Sequence, residues 1–350
     1  MKIPAQLPPK VKNIEELKEL LQLALFIELS TIPPYLVAMY SLKENSNRIP
    51  FELIRSIVIE EMLHMILVSN ILNSIGGKPR LDHSNYIPNY PVELPIKDGD
   101  SNLIINLQKF SNEAIKTFLV IERPTPFKQI RKNIPIDESF NSIAEFYDTI
   151  KDSLIYLHKH EKALFNGDID KQIGSEYYYN SGGAPVIVTN LETALEAIEI
   201  IIEQGHGDDL EIPMDDNLPA SHYERFQHIL EPNKVNKLNP MIGDDISVEW
   251  NKVYNMIKNP KNSYYMNDVH LLNKSKEFNI TYTKMINQLH RAFNGEKEIL
   301  NSSIRIMSEL RDQAIDLIKV TIPDTDNYNA GPTFEYIYNY NETKERGGIE

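Results

Sequence analysis

The chain has 350 residues, with 36 Lys and Arg against 50 Asp and Glu, a formal net charge of −14, no cysteine and 41% hydrophobic residues. Without cysteine there is no disulfide, zinc–thiolate site, iron–sulfur cluster or cysteine nucleophile, so a metal must sit on Glu, Asp, His or Tyr. The acidic balance argues against a nucleic-acid backbone or an anionic membrane surface as partner and leaves small molecules or another protein.

The N-terminal residues MKIPAQLPPKVK have no apolar signal-like region. The apolar run Leu20 to Leu29 is interrupted by Gln22 and Glu28 and is short for a membrane span, so a soluble cytoplasmic protein is expected. From Asn13, apolar residues recur at three- and four-residue steps (Ile14, Leu17, Leu20, Leu21, Ala24, Leu25), predicting a helix to about Lys43. Asn13 and Glu16 form a capping-box pattern, and Pro33-Pro34 predict a kink near Leu29 to Thr31. A second helix is expected from Phe51 to Ile75, stopped by Gly76-Gly77, followed by a Pro- and Tyr-rich connection over 78–100. Further helices are expected at Leu103–Ile121, Ser142–Phe165, Leu191–Gln204, Ser221–Leu230, Ser275–Phe293 and Glu296–Val320, with few strands. The class is all-α, divided into a four-helix bundle over 1–230 and a C-terminal helical extension over 231–350.

Three residues with ligating side chains fall on apolar faces. Glu28 lies four residues after Ala24 and seven after Leu21; Glu61 lies four after Ile57; His64 lies four before Val68. A buried ionised carboxylate must be paired, protonated or metal-bound, so the alternatives are a metal site or a hydrogen-bonded network involving Arg55 or Tyr35. Glu61 and His64 form Glu-x-x-His, and Glu203 and His206 repeat that spacing at the end of another helix. Two such motifs plus one Glu from each of two other helices make the ligand set of dimetal carboxylate bundles. Glu28 supplies the first, and Glu145, at the start of the 142–165 helix, is the candidate for the second, with Glu122, Glu161 and Glu199 as competitors. His222 is open between ligand, orienting residue and packed histidine; His158 and His160 are expected at the surface.

The ordered motifs FIELSTIPPYLVAMYSL, IEEMLHMILVSNILNSIGGKP, YIPNYPVELP, FLVIERP, AIEIIIEQGHG, SHYERF and AGPTFEY, from about Asn13 to Tyr336, resemble the ferritin-like iminophenyl-pyruvate dimer synthase domain family. The chain departs from that pattern in carrying His206 where the family commonly has Glu, and at 350 residues it is expected to be without the added sequence and haem of the larger pigment-pathway enzymes. The resemblance implies a ferritin-like bundle with a non-heme metal site on Glu28, Glu61, His64 and residues of the EQGHG and SHYERF segments. It also implies an amino-acid-, imine- or peptide-derived substrate of secondary metabolism.

The expected function is therefore an oxygen-dependent oxidoreductase with a dinuclear non-heme iron centre (manganese being the other suitable metal), dioxygen as cosubstrate and a small-molecule substrate. Glu28, Glu61, His64, Glu145, Glu203 and His206 are its expected ligands, with His222 as a further candidate. The alternatives are a ferroxidase or iron-handling protein, and a metal-free scaffold of the same fold. The last two helices either complete the core or form a homodimer interface.

Overall fold

A computed structural model describes residues 11, 13–124, 140–178, 182–206, 220–231 and 248–338. Helix α1 (Ile14–Tyr40) is capped by Asn13, whose side chain accepts from Glu16 N at 2.9 Å. Helix α2 (Arg48–Ser74) follows after the connection 41–47 and packs along α1. A hairpin, β1 (Val92–Asp98) and β2 (Ser101–Ile105), precedes α3 (Asn112–Ile121). Then come α4 (Ile143–His160), α5 (Leu191–His206), α6 (His222–Leu230), α7 (Val269–Phe293) and α8 (Leu300–Ile318).

Helices α1, α2, α5 and α4 form the bundle: α1 packs on α2, α2 on α5, α5 on α4, and α4 back on α1. Helices α3 and α6 pack on each other, and α6 also lies against α2 and α5. The α7/α8 hairpin joins the bundle through α8 on α1 and α7 on α2. Its apolar residues Phe278, Ile286, Phe293, Leu317 and Ile318 belong to the same contiguous core as α1 and α2, so these helices complete the core within the chain.

Three expectations change. The predicted helix at Leu103–Ile121 is a strand and a connection up to Ser111, whose hydroxyl caps a shorter α3 by accepting from Ala114 N at 3.1 Å. Burial alternates along the strand, with Leu103 and Ile105 inside and Ile104 exposed, a period of two that pairing with β1 completes. The helix expected to reach Phe165 ends at His160.

Third, Pro33 and Pro34, expected to interrupt the first helix, lie inside a continuous α1. Proline at 34 removes the donor that would serve the Ser30 carbonyl, and Tyr90 from the Pro/Tyr-rich connection replaces it, its hydroxyl donating to Ser30 O at 2.9 Å. By length and composition α1 would also pass as a membrane span, which the broken run Leu20–Leu29 did not suggest, but 89% of its most apolar window is buried inside the protein.

Candidate metal centre

The inward carboxylates of α1 and α2 meet a third from the end of α3. Glu28, Glu61 and Glu122, with His64, His206 and His222, lie together between the helices, and none is more than 6% exposed. Glu28 sits mid-α1; Glu61 and His64 share one face of α2; Glu122 is the C-cap of α3; His206 is the last residue of α5; His222 is the first of α6.

Each carboxylate gives one oxygen to a hydroxyl and turns the other inward. Tyr147 of α4 donates a hydrogen bond to Glu28 Oε1. Thr31 donates to Glu61 Oε2 at 2.6 Å, and Tyr35 to Glu122 Oε1 at 2.5 Å. Burial, with the neighbouring carboxylates, raises both tyrosine pKa values well above the usual range, so they remain donors. The free oxygens converge on two imidazoles. His64 Nδ1 lies 3.3 Å from Glu28 Oε2 and 4.0 Å from Glu61 Oε1. His222 Nδ1 lies 3.0 Å from the same Glu61 oxygen and 3.6 Å from Glu122 Oε2.

The opposite ring nitrogens fix the tautomers. Gln204 donates its amide to Gly182 O at 2.7 Å, so its Oε1 accepts from His64 Nε2 at 2.9 Å, and in the neutral ring the lone pair falls on Nδ1. His222 Nε2 donates to Glu60 Oε2 at 2.9 Å, and its fully buried Nδ1 makes no hydrogen bond of acceptable geometry. His206 Nδ1 faces the Glu122 carbonyl at 2.8 Å. The backbone passes close above these supports at Gly182 and Gly183, with φ of +86° and +119°. A Cβ at Gly182 would stand 2.7 Å from Glu60 Cγ, and one at Gly183 would stand 2.9 Å from Leu63 Cδ2.

Burial, aided by the charges of Glu122 and Glu28, raises the Glu61 pKa to about 7. Burial would lower His222, but the Glu122, Glu60 and Glu61 carboxylates outweigh it and raise it well above normal. For His64, too, burial is overcome by Glu28. His206 goes the other way because burial dominates.

This arrangement fits a pair of divalent cations. Two groups of three ligating atoms, Glu28/Glu61/His64 and Glu61/Glu122/His222, each lie within 4.8 Å of one another and share Glu61. Three carboxylates are crowded into a buried site, and the orphaned Nδ1 of His222 points at it, so that a metal there would take the place of that nitrogen's proton. A small cavity between the ligands is lined also by Ile143, Ile201, Gly205 and His206, with room for a water-sized group.

The predicted residues divide. Glu28, Glu61, His64, His206 and His222 are brought together; Glu145 and Glu203 are not. Glu145 sits at the third position of α4, where its Oε2 accepts from Asn141 N and Nδ2, both at 2.7 Å, so it closes the helix start rather than reaching the bundle interior. Glu203 is exposed on α5, because the helix turns Gln204 and His206 inward instead. Glu161 is an exposed C-cap, and Glu199 pairs with Lys151 at 2.7 Å. Glu122 fills the place assigned to Glu145. It lies four residues after Phe118 and seven after Ile115, so the helical period did carry the signal. Glu60, unremarked in the sequence, supports His222. Of the network alternative, Tyr35 is present but Arg55 is outside, beside Glu52. His158 and His160 are exposed as expected.

Comparison with known proteins agrees with this fold. A family profile described as ferritin-like matches residues 21–231. A solved structure described as a ferritin-like protein from Caulobacter vibrioides matches with a TM-score of 0.63 and 21% identity, covering 94% of this chain and 100% of that one. No curated protein matches.

Proposed function

From the premise that this chain belongs to the ferritin-like family, we propose that it is an oxygen-dependent oxidoreductase built on a dinuclear non-heme iron centre. The observation that carries this reading is the single Glu61 oxygen facing both His64 Nδ1 and His222 Nδ1, with Glu28 and Glu122 on either side. Glu28, Glu61 and His64 would hold one metal, and Glu61, Glu122 and His222 the other. Oxygen and nitrogen donors without thiolate suit iron, with manganese as the other choice. Bound ferrous iron would supply the electrons for reducing dioxygen.

The chain's own residues would do the rest. Tyr147, Thr31 and Tyr35 hold the carboxylates so that one oxygen of each faces inward. Glu60 and Gln204 hold the imidazoles with Nδ1 toward the centre. Ile143 and Ile201 give the cavity an apolar wall and limit access by water. His206, lining the same cavity, is placed to bind a group entering it or to complete a metal's coordination.

The motif run resembling iminophenyl-pyruvate dimer synthase domains supports an amino-acid-, imine- or peptide-derived substrate of bacterial secondary metabolism, handled in the cytoplasm. A second reading has its own support: the water-sized cavity among the described residues suits dioxygen alone and favours a ferroxidase or iron-handling role. Oxygen-electrode measurements on the ferrous protein separate them. The oxidoreductase reading expects sustained oxygen uptake that depends on an aromatic amino acid or its imine. Uptake proportional to added ferrous iron, unchanged by every organic compound tried, would leave the ferroxidase reading in its place.

A further inference from the structure

The two triads differ in what stands behind each histidine. Behind His64 is a neutral amide, Gln204, anchored on the Gly182 carbonyl. Behind His222 is a carboxylate, Glu60, and that carboxylate is itself gripped by a guanidinium. Arg225 Nη2 lies 3.0 Å from Glu60 Oε1, and Nη1 lies 2.9 Å from Oε2. Arg225 is fixed in turn through Ser56 Oγ at 3.0 Å and the Ala220 carbonyl at 2.7 Å. Glu60 and Arg225 are both buried.

His222 is also held through its backbone. It opens α6, whose first turn is closed reciprocally: the Ser221 side chain accepts from Glu224 N, and the Glu224 side chain accepts from Ser221 N. The cavity touches all three carboxylates, Glu28, Glu61 and Glu122, but of the two ligating imidazoles it reaches His64 and not His222, and neither Glu60 nor Arg225 lines it.

A carboxylate that accepts the remote N–H of a ligating histidine fixes the ring and raises its basicity, and loss of such a partner typically weakens metal binding about 10–100-fold. An amide fixes the ring without adding charge. Resting on the dinuclear reading above, we propose that Glu60, clamped by Arg225, is a positioning residue that makes the Glu61/Glu122/His222 position the tighter and less exchangeable of the two. The Glu28/Glu61/His64 position, whose imidazole borders the cavity, fills second and is the exchangeable one.

Anaerobic titration of the metal-free full-length protein with Co2+, followed by calorimetry and by the visible absorption of bound cobalt, tests this. The wild type should show two resolved binding events. His222→Ala should remove the tighter and His64→Ala the weaker. Glu60→Gln should weaken the tighter event about 10–100-fold. The weaker event should persist in that variant, reporting a folded protein, and Gln204→Ala should leave the tighter event unchanged. Two events of equal affinity, or a Glu60→Gln variant that weakens both alike or neither, would overturn the inference and leave the dinuclear centre standing. Absence of stoichiometric cobalt binding to the wild type would overturn both.

Discussion

Glu61 Oε1 lies 3.0 Å from His222 Nδ1, linking the middle of α2 to the first residue of α6 across a long stretch of the chain. Because that oxygen also faces His64 Nδ1, Glu61 is common to both groups of ligating atoms. Its conservative variant is therefore the most informative one. Glu61→Gln should abolish stabilisation by added Fe2+ or Mn2+, while the metal-free variant should melt at the same temperature as the wild type or above it. Removing one of three crowded buried carboxylates relieves repulsion and desolvation, and the amide retains a partner in Thr31. Differential scanning calorimetry with and without metal checks this; a large loss of stability in the metal-free variant would mean that the carboxylate serves the fold itself.

The metal-free protein should lose stability as pH rises. Glu61 has a folded pKa of about 7, above its unfolded value, because burial and the charges of Glu122 and Glu28 hold its proton. Its contribution is complete below about pH 4.5 and is lost as pH rises through about 7. His222, also raised, acts in the same direction at higher pH. His206, lowered by burial, opposes them: its contribution is present above its unfolded pKa and lost as pH falls through the depressed folded value. Metal binding must displace the Glu61 proton, so affinity should rise between about pH 6 and 8. Melting temperatures of metal-free and loaded protein across that range should diverge; parallel curves would contradict the coupling.

Glu145→Ala and Glu122→Ala should separate cleanly. The first removes a helix-start partner of Asn141 and should cost about 1 kcal/mol with metal content unchanged. The second should remove a ligand of the His222 position and lower the metal stoichiometry. Chemical denaturation and elemental analysis of the two variants read both effects.

That pair also shows what the sequence made legible. The 3.6-residue period placed Glu28, Glu61 and His64 inside because α1 and α2 are long and their apolar faces continuous. It gave Glu145 a ligand's role where the structure places it at the helix start, because a helix's first turn also favours a carboxylate, for capping, and a single sequence does not distinguish a cap from a ligand. Glu122 was obscured because its helix was extended backward over β2, and Glu60 because it adjoins Glu61 and points to α6, whose docking is a tertiary fact. Gln204, rather than Glu203, faces His64 for a similar reason: the phase of the last turn of α5 is set by its packing on α2.

Tyr90→Phe should test the account of α1. It removes the hydroxyl serving the Ser30 carbonyl that Pro34 leaves without its helical donor. A buried carbonyl left unsatisfied costs about 1–3 kcal/mol, so the variant should lose stability in that range with metal content retained. An unchanged unfolding free energy would mean that the carbonyl finds another donor.

The measurement bearing most directly on the central claim is iron per chain, by elemental analysis after anaerobic purification and ferrous reconstitution, in the wild type and in Glu61→Ala. About two irons per chain in the wild type, both lost in the variant, is the predicted result, since one shared carboxylate serves both positions. No specific iron in the wild type, or the same content in the variant, would contradict the dinuclear centre and leave the buried carboxylates as a hydrogen-bonded network within a metal-free scaffold.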